Sequence, residues 1–179
     1  MNDSIRAVLL TGPLDVTAAN LRTLDLAREL LRRKIEVTVV AGPGELEQRY
    51  QAAEIPLATL EITGRFIEDL PQLGALKKTV GGIEPHLLHV IDPALFRHGS
   101  AVTRAFGSPL ILSLDSVPHR SITSHFGLLR GILVPARSVR DELILKRRAP
   151  AELIHIVPPG IDISRFPTTW TLASSSSPD

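Results

Sequence analysis

Short apolar runs alternate along this chain with longer stretches in which apolar positions recur at helical spacing. Residues 5–11, IRAVLLT, are apolar and partly β-branched and stop at Gly12-Pro13, the pattern of a buried strand. The next stretch, DVTAANLRTLDLARELLRRKI, places Leu21, Leu24, Leu26, Ala27, Leu30 and Leu31 on one helical face, with Arg22, Arg28, Arg32 and Arg33 mostly elsewhere. Thr17 fits its N-cap, and Arg32-Arg33-Lys34 suits the negative end of the helix dipole. A second strand follows at 36–42, EVTVVAG, completing a strand–helix–strand unit, which implies parallel strands and a right-handed crossover. The rhythm continues. Strands are expected at 56–62, 85–92, 108–116, 131–136 and 152–160, separated by helices in GELEQRYQAAEI, EDLPQLGALKKTVGGI, PALFRHGSAVTRAFG and RSVRDELILKRR, with Pro71 in the first turn of the third helix. The expectation is an α/β fold: a doubly wound, mainly parallel Rossmann-like sheet of about seven strands with helices on both faces.

Composition narrows the chemistry without choosing it. The chain has 179 residues, 44% of them hydrophobic and 22% charged, as in an ordinary globular domain. It has no cysteine, which excludes disulfides, thiolate metal sites and cysteine nucleophiles and fits a cytoplasmic location. The N-terminal apolar run is too short for a signal peptide, and no stretch approaches a membrane span. A net charge of +1 gives no reason to expect nucleic acid. The basic pairs Lys77-Lys78 and Lys146-Arg147-Arg148 read as solvated helix ends, and membrane-surface contact would need several such clusters on one face. There is no GxSxG, HExxH, Walker or GxGxxG motif, no acid cluster of a phospho-receiver after the first strand, and no metal site is expected.

In a doubly wound sheet the ligand crevice lies beyond the carboxyl ends of the strands, where strand order reverses. That rule selects Gly12, Pro13, Leu14 and Asp15 after the first strand, Asp92 after the fourth, and Asp115 to His119 after the fifth. Gly12 would let the backbone approach a phosphate or sugar beside a helix N-terminus, or would simply serve a βα turn. Asp92, before Pro93, also fits a helix cap, and Ser138 fits the cap of the last helix.

Several segments, in chain order, resemble the N-terminal, acceptor-side domain of retaining GT-B glycosyltransferases of family 4. They are NLRTLDLARELLRRKIEVTVVAG, EPHLLHVIDP, SPLILSLDS, GILVPARSVRDELI and, most specifically, IHIVPPGIDISRF. The resemblance runs from residue 6 to 167. It implies a glycosyltransferase domain over 1–157 and an interdomain-linker-like segment with a frayed tail over 158–179, in which Pro159, Gly160, Asp162 and Phe166 would form the hinge. It also implies a nucleotide-sugar donor held by a C-terminal domain, in the same longer chain or another polypeptide. No cofactor is then expected on this chain alone.

The family lines its cleft with a His-x-His-Asp run. His89 and Asp92 match it, whereas the second His is Ile91 here. His89 reads equally as a hydrogen-bonded core histidine. Ser138 joins His89 and Asp92 as a cleft-lining candidate. Where the family carries a histidine near the transferred sugar, the resemblance places Asp115, a carboxylate able to accept a hydroxyl proton but repelled by a diphosphate. His119 is the second catalytic candidate. The link between the fifth and sixth strands, residues 117–130, is shorter than the family's, which implies a shallower acceptor pocket that His125 and Phe126 could line. The implied function is the acceptor-binding half of a nucleotide-sugar-dependent glycosyltransferase, inactive alone, with a carbohydrate or lipid-linked acceptor. The alternative is a non-catalytic Rossmann-like scaffold or sugar-binding module. An exposed apolar cleft wall would favour a homodimer or another partner.

Overall fold

A computed structural model describes residues 4–118 and 123–160, with the side chains of 123–125 left undescribed. Among the described residues, seven strands form one sheet: β1 (Arg6–Pro13), β2 (Glu36–Gly42), β3 (Leu57–Thr59), β4 (Leu87–Val90), β5 (Leu110–Ser113), β6 (Leu129–Val134) and β7 (Ile154–Ile156). Five helices connect them: α1 (Ala18–Arg32), α2 (Glu47–Ala52), α3 (Leu70–Ile83), α4 (Phe96–Phe106) and α5 (Arg137–Arg147). The strand order is β3-β2-β1-β4-β5-β6-β7 and every pairing is parallel. The expected doubly wound sheet is therefore present.

Alternate residues of β1 show how the two layers arise. Leu9 packs on one face with Val37, Val39 and Ala41 of β2, under Leu24 and Ala27 of α1 and Tyr50 of α2. Val8 and Leu10 face the other way, into a core closed by Leu76 and Val80 of α3, Val102 of α4 and Leu143 of α5. Both faces of β1 are thus dry, which is why the strand reads as a continuous apolar run without alternation.

Local signals fix the helix ends. Thr17 accepts a hydrogen bond from the Asn20 amide at 3.2 Å, as expected of an N-cap. Pro71 occupies the first turn of α3, where its missing N–H costs nothing. Ser138 is not a cap: α5 starts one residue earlier, at Arg137, with Ala136 in the cap position and no capping side chain. Four strands are shorter than expected: β3 covers only 57–59, β4 87–90, β5 110–113 and β7 154–156, the last preceded by a 3-10 turn at 151–153. Gly160 lies past β7 and is not among the described glycines with positive φ. Pro159 and Gly160 are exposed and outside regular structure, whereas Asp162 and Phe166 lie outside the described residues.

Tyr50 ties α2 to the first turn of α1. It is fully buried, and its hydroxyl donates to the Asn20 carbonyl at 3.0 Å. Burial, aided by the Asp25 charge, pushes the phenol well above its ordinary pKa, so it stays a donor. Tyr50→Phe should lower the unfolding free energy by about 1 kcal/mol, read from the urea midpoint at unchanged m-value.

Candidate functional site at the strand-order reversal

Strand order reverses between β1 and β4. The chain leaves β1 toward β2 and leaves β4 toward β5, so the two following loops part and leave a crevice. An open cleft of about 500 Å³ lies there, lined by Gly12, Pro13 and Asp15 after β1, by Ile91, Asp92 and Pro93 after β4, and by Asp115, Ser116 and Pro118 after β5. A second depression of about 460 Å³ between α1 and α2, lined by Arg28, Leu31, Arg32, Ala53 and Glu54, involves no strand end.

Asn20 builds the first wall. Its side-chain amide donates to the carbonyls of Pro13 and Asp15 at 2.8 and 2.9 Å, and its oxygen accepts from the Thr11 hydroxyl at 3.1 Å. The β1–α1 loop is therefore fixed by a buried, fully partnered side chain rather than by glycines. Sequence reasoning passed over Asn20. The available signal was a polar residue on the same helical stripe as Leu24 and Ala27. Leu14 was expected at the ligand, but its side chain is wholly buried. Its backbone bonds to Gly42 and Leu46 turn it into the second core, so it anchors the loop and cannot line the cleft.

Asp92 caps the 3-10 turn at Pro93–Leu95, accepting from the Ala94 amide at 2.8 Å. Its other oxygen lies over Gly12, 2.5 Å from where a Cβ on that glycine would sit, so a side chain at residue 12 would displace the carboxylate. The cap and cleft readings of Asp92 are thus both satisfied by one side chain. Asp115 pairs with Arg22 of α1, a contact sequence reasoning missed because Arg22 reads as part of a solvated helix face. Both side chains are exposed.

His89 does not line the cleft. It is 7% exposed in the middle of β4, with Nε2 2.8 Å from the Ser113 hydroxyl, because its face of the strand is covered by the helical layer. Burial drives its pKa down to about 4, so it is neutral near pH 7. Ser138 is exposed on α5 and is not part of the cleft lining. His119 lies outside the described residues, and nothing is described of the His125 side chain. Phe126 packs against the main core. Among the described residues no group of His, Asp or Glu is arranged to hold a metal, and no helix is long and apolar enough to cross a membrane.

The family model Glycosyltransferase Family 4 matches residues 19–165. No curated protein matches the chain significantly in sequence. Among solved structures, a glycosyltransferase from Rickettsia africae ESF-5 superposes with a TM-score of 0.75 at 11% identity, over 90% of this chain and 45% of that one. Anabaena Alr3699/HepE in complex with UDP and glucose gives 0.71 at 16%, over 89% and 46%. Acinetobacter baumannii MurG gives 0.67 at 12%, over 87% and 46%. The chain thus spans less than half the length of these structures.

The neutral, buried state of His89 has a measurable consequence. The unfolded chain protonates this residue below pH 6.5 whereas the folded one resists until about pH 4, so stability is complete above pH 6.5 and falls as pH drops through that window. His89→Asn should remove about 2–4 kcal/mol of that acid-linked loss, measured as the difference between wild-type and variant stability-versus-pH curves.

Proposed function

Because the chain belongs to glycosyltransferase family 4, we propose that it is the acceptor-binding half of a nucleotide-sugar-dependent, retaining glycosyltransferase and is inactive without a donor-binding domain. The observation that carries this reading is the one-sided cleft at the β1/β4 reversal, in a chain with the fold of less than half of each GT-B neighbour. The donor domain, in the same longer chain or a separate one, would form the facing wall. The absence of cysteine accords with a cytoplasmic enzyme.

In this reading the acceptor hydroxyl lies against the β1 and β4 loops and attacks the sugar on the face from which the diphosphate departs. Asp115, in the cleft lining after β5, accepts a hydrogen bond from a sugar or acceptor hydroxyl. Asp92 and the Gly12 backbone shape the acceptor side. The leaving diphosphate needs cations, and the cleft lining among the described residues holds none. The donor domain would supply them. A sugar-binding module without catalysis is the second reading, favoured by the tie between Asp115 and Arg22, which leaves that carboxylate already engaged.

A micromolar complex requires about 8 kcal/mol, more than one wall with few charged groups supplies. The chain alone is therefore expected to show no transfer from UDP-glucose and to bind it only at millimolar concentration, with amide shifts clustered at Gly12, Asp92 and Asp115. Micromolar affinity by calorimetry, or shifts clustered at Arg28 and Glu54 instead, would overturn the proposal.

A further inference from the structure

The most deeply buried contact between ionisable side chains among the described residues joins Asp69 and His98. Asp69, just before α3, and His98, on α4, are 2% and 1% exposed, and His98 Nε2 lies 3.0 Å from Asp69 Oδ2. The approach is bent rather than a straight hydrogen bond, and His98 Nδ1 has no partner among the described residues. Phe66 meets the imidazole edge-on, with centroids 5.1 Å apart, and the Arg97 guanidinium stacks on the outer face of Phe66. A buried polar pair so incompletely satisfied is a poor source of stability. What it does instead can be traced atom by atom.

Asp69 gathers the chain that follows β3. Its carboxylate accepts from the Thr63 amide at 3.0 Å, the Thr63 hydroxyl at 2.9 Å and the Gly64 amide at 2.9 Å. Gly64, at φ +80°, is pressed onto Ala94, and a Cβ there would come within 2.8 Å of the Ala94 Cβ. The Ala94 amide holds one Asp92 oxygen, and the other Asp92 oxygen covers Gly12 in the cleft. His98, Asp69, Gly64, Ala94, Asp92 and Gly12 thus form one continuous line of contact from a buried histidine to the cleft wall.

We propose that Asp69 and His98 are positioning residues that hold the Asp92 carboxylate in the cleft wall through Gly64 and Ala94. Burial opposes the Asp69 charge, but the Thr63 hydrogen bonds, His98 and the Gly64 amide outweigh it and hold the carboxyl below its usual range. Burial likewise lowers the His98 pKa. Asp69 from the loop opposes that shift, and Arg97 from its own helix adds to it. Near pH 7 a neutral His98 therefore faces a carboxylate, and acid converts the contact into an ion pair. The functional weight of this arrangement rests on the cleft being the acceptor site, but the contact line itself can be tested without any ligand.

The test is a proton–nitrogen amide spectrum of the whole chain from pH 8 to 4.5, following Gly64, Ala94 and Gly12 beside the His98 ring signal. The three amides are expected to shift with the midpoint of His98. In His98→Gln, whose amide can still donate to Asp69, they should keep their neutral-pH positions and lose that midpoint. In His98→Leu, which cannot donate, Gly64, Ala94 and Gly12 should all move while Ile132 and Ile154 stay in place. A change in His98 that stops at Gly64, leaving Ala94 and Gly12 indifferent in both the titration and the variants, would overturn the proposal. Should His98→Leu fail to fold, the wild-type and His98→Gln titrations decide alone. Micromolar binding of UDP-glucose to this chain alone would count against the acceptor-half reading and leave this result standing.

Discussion

Everything at the cleft depends on β1 being hydrogen-bonded on both sides by parallel strands, with β2 at one edge and β4 at the other. Parallel neighbours require right-handed crossovers. Going from β1 to β2 and β3 therefore places α1 and α2 on one face, while the connections onward to β4 and beyond place α3, α4 and α5 on the other. The loops after β1 and β4 must then leave in opposite directions. The crevice between them is a consequence of topology and needs no special sequence. The residues within it then only have to set its chemistry.

Those residues are held by buried polar groups rather than by flexible loops. Asn20 fixes the β1–α1 turn with every side-chain donor and acceptor used, and Asp69 does the same for the turn after β3. Satisfied polar groups in a low-dielectric interior are rigid, because any displacement leaves a partner unpaired. The β1 side of the cleft is thereby set before a ligand arrives, which reduces the ordering cost of binding.

The sheet, its order of elements and the β1/β4 cleft were legible in the sequence because each rests on local periodicity plus one handedness rule. Gly12, Pro13, Asp15, Asp92 and Asp115 follow directly from strand ends, and they do meet. What was not legible required knowing which way a side chain points across elements. Leu14 sits in a loop yet turns inward, because the backbone of residues 42–46 captures it. His89 matches a motif position but is buried in β4, where the Ser113 hydroxyl meets it. Ser138 failed as a cap because α5 begins one residue sooner. Asp69 and His98 are 29 positions apart in sequence, and no spacing rule connects them.

The Arg22–Asp115 pair bears on one of the departures from the family pattern, that a carboxylate in place of a histidine would repel a diphosphate. Both partners are exposed, so the pair adds at most about 1 kcal/mol to stability, and stability does not account for it. Its effect is on local charge. A lone Asp115 would present a full negative charge to the cleft, whereas Asp115 with the Arg22 guanidinium against it presents a dipole of no net charge, which is what a neutral imidazole also presents. A carboxylate oxygen has more than one lone pair, so one bound to Arg22 can still accept from a hydroxyl. The carboxylate at residue 115 and the arginine on α1 therefore have to be judged together: with Arg22 in place, Asp115 adds no net charge to the cleft, and the negative charge that remains there belongs to Asp15 and Asp92.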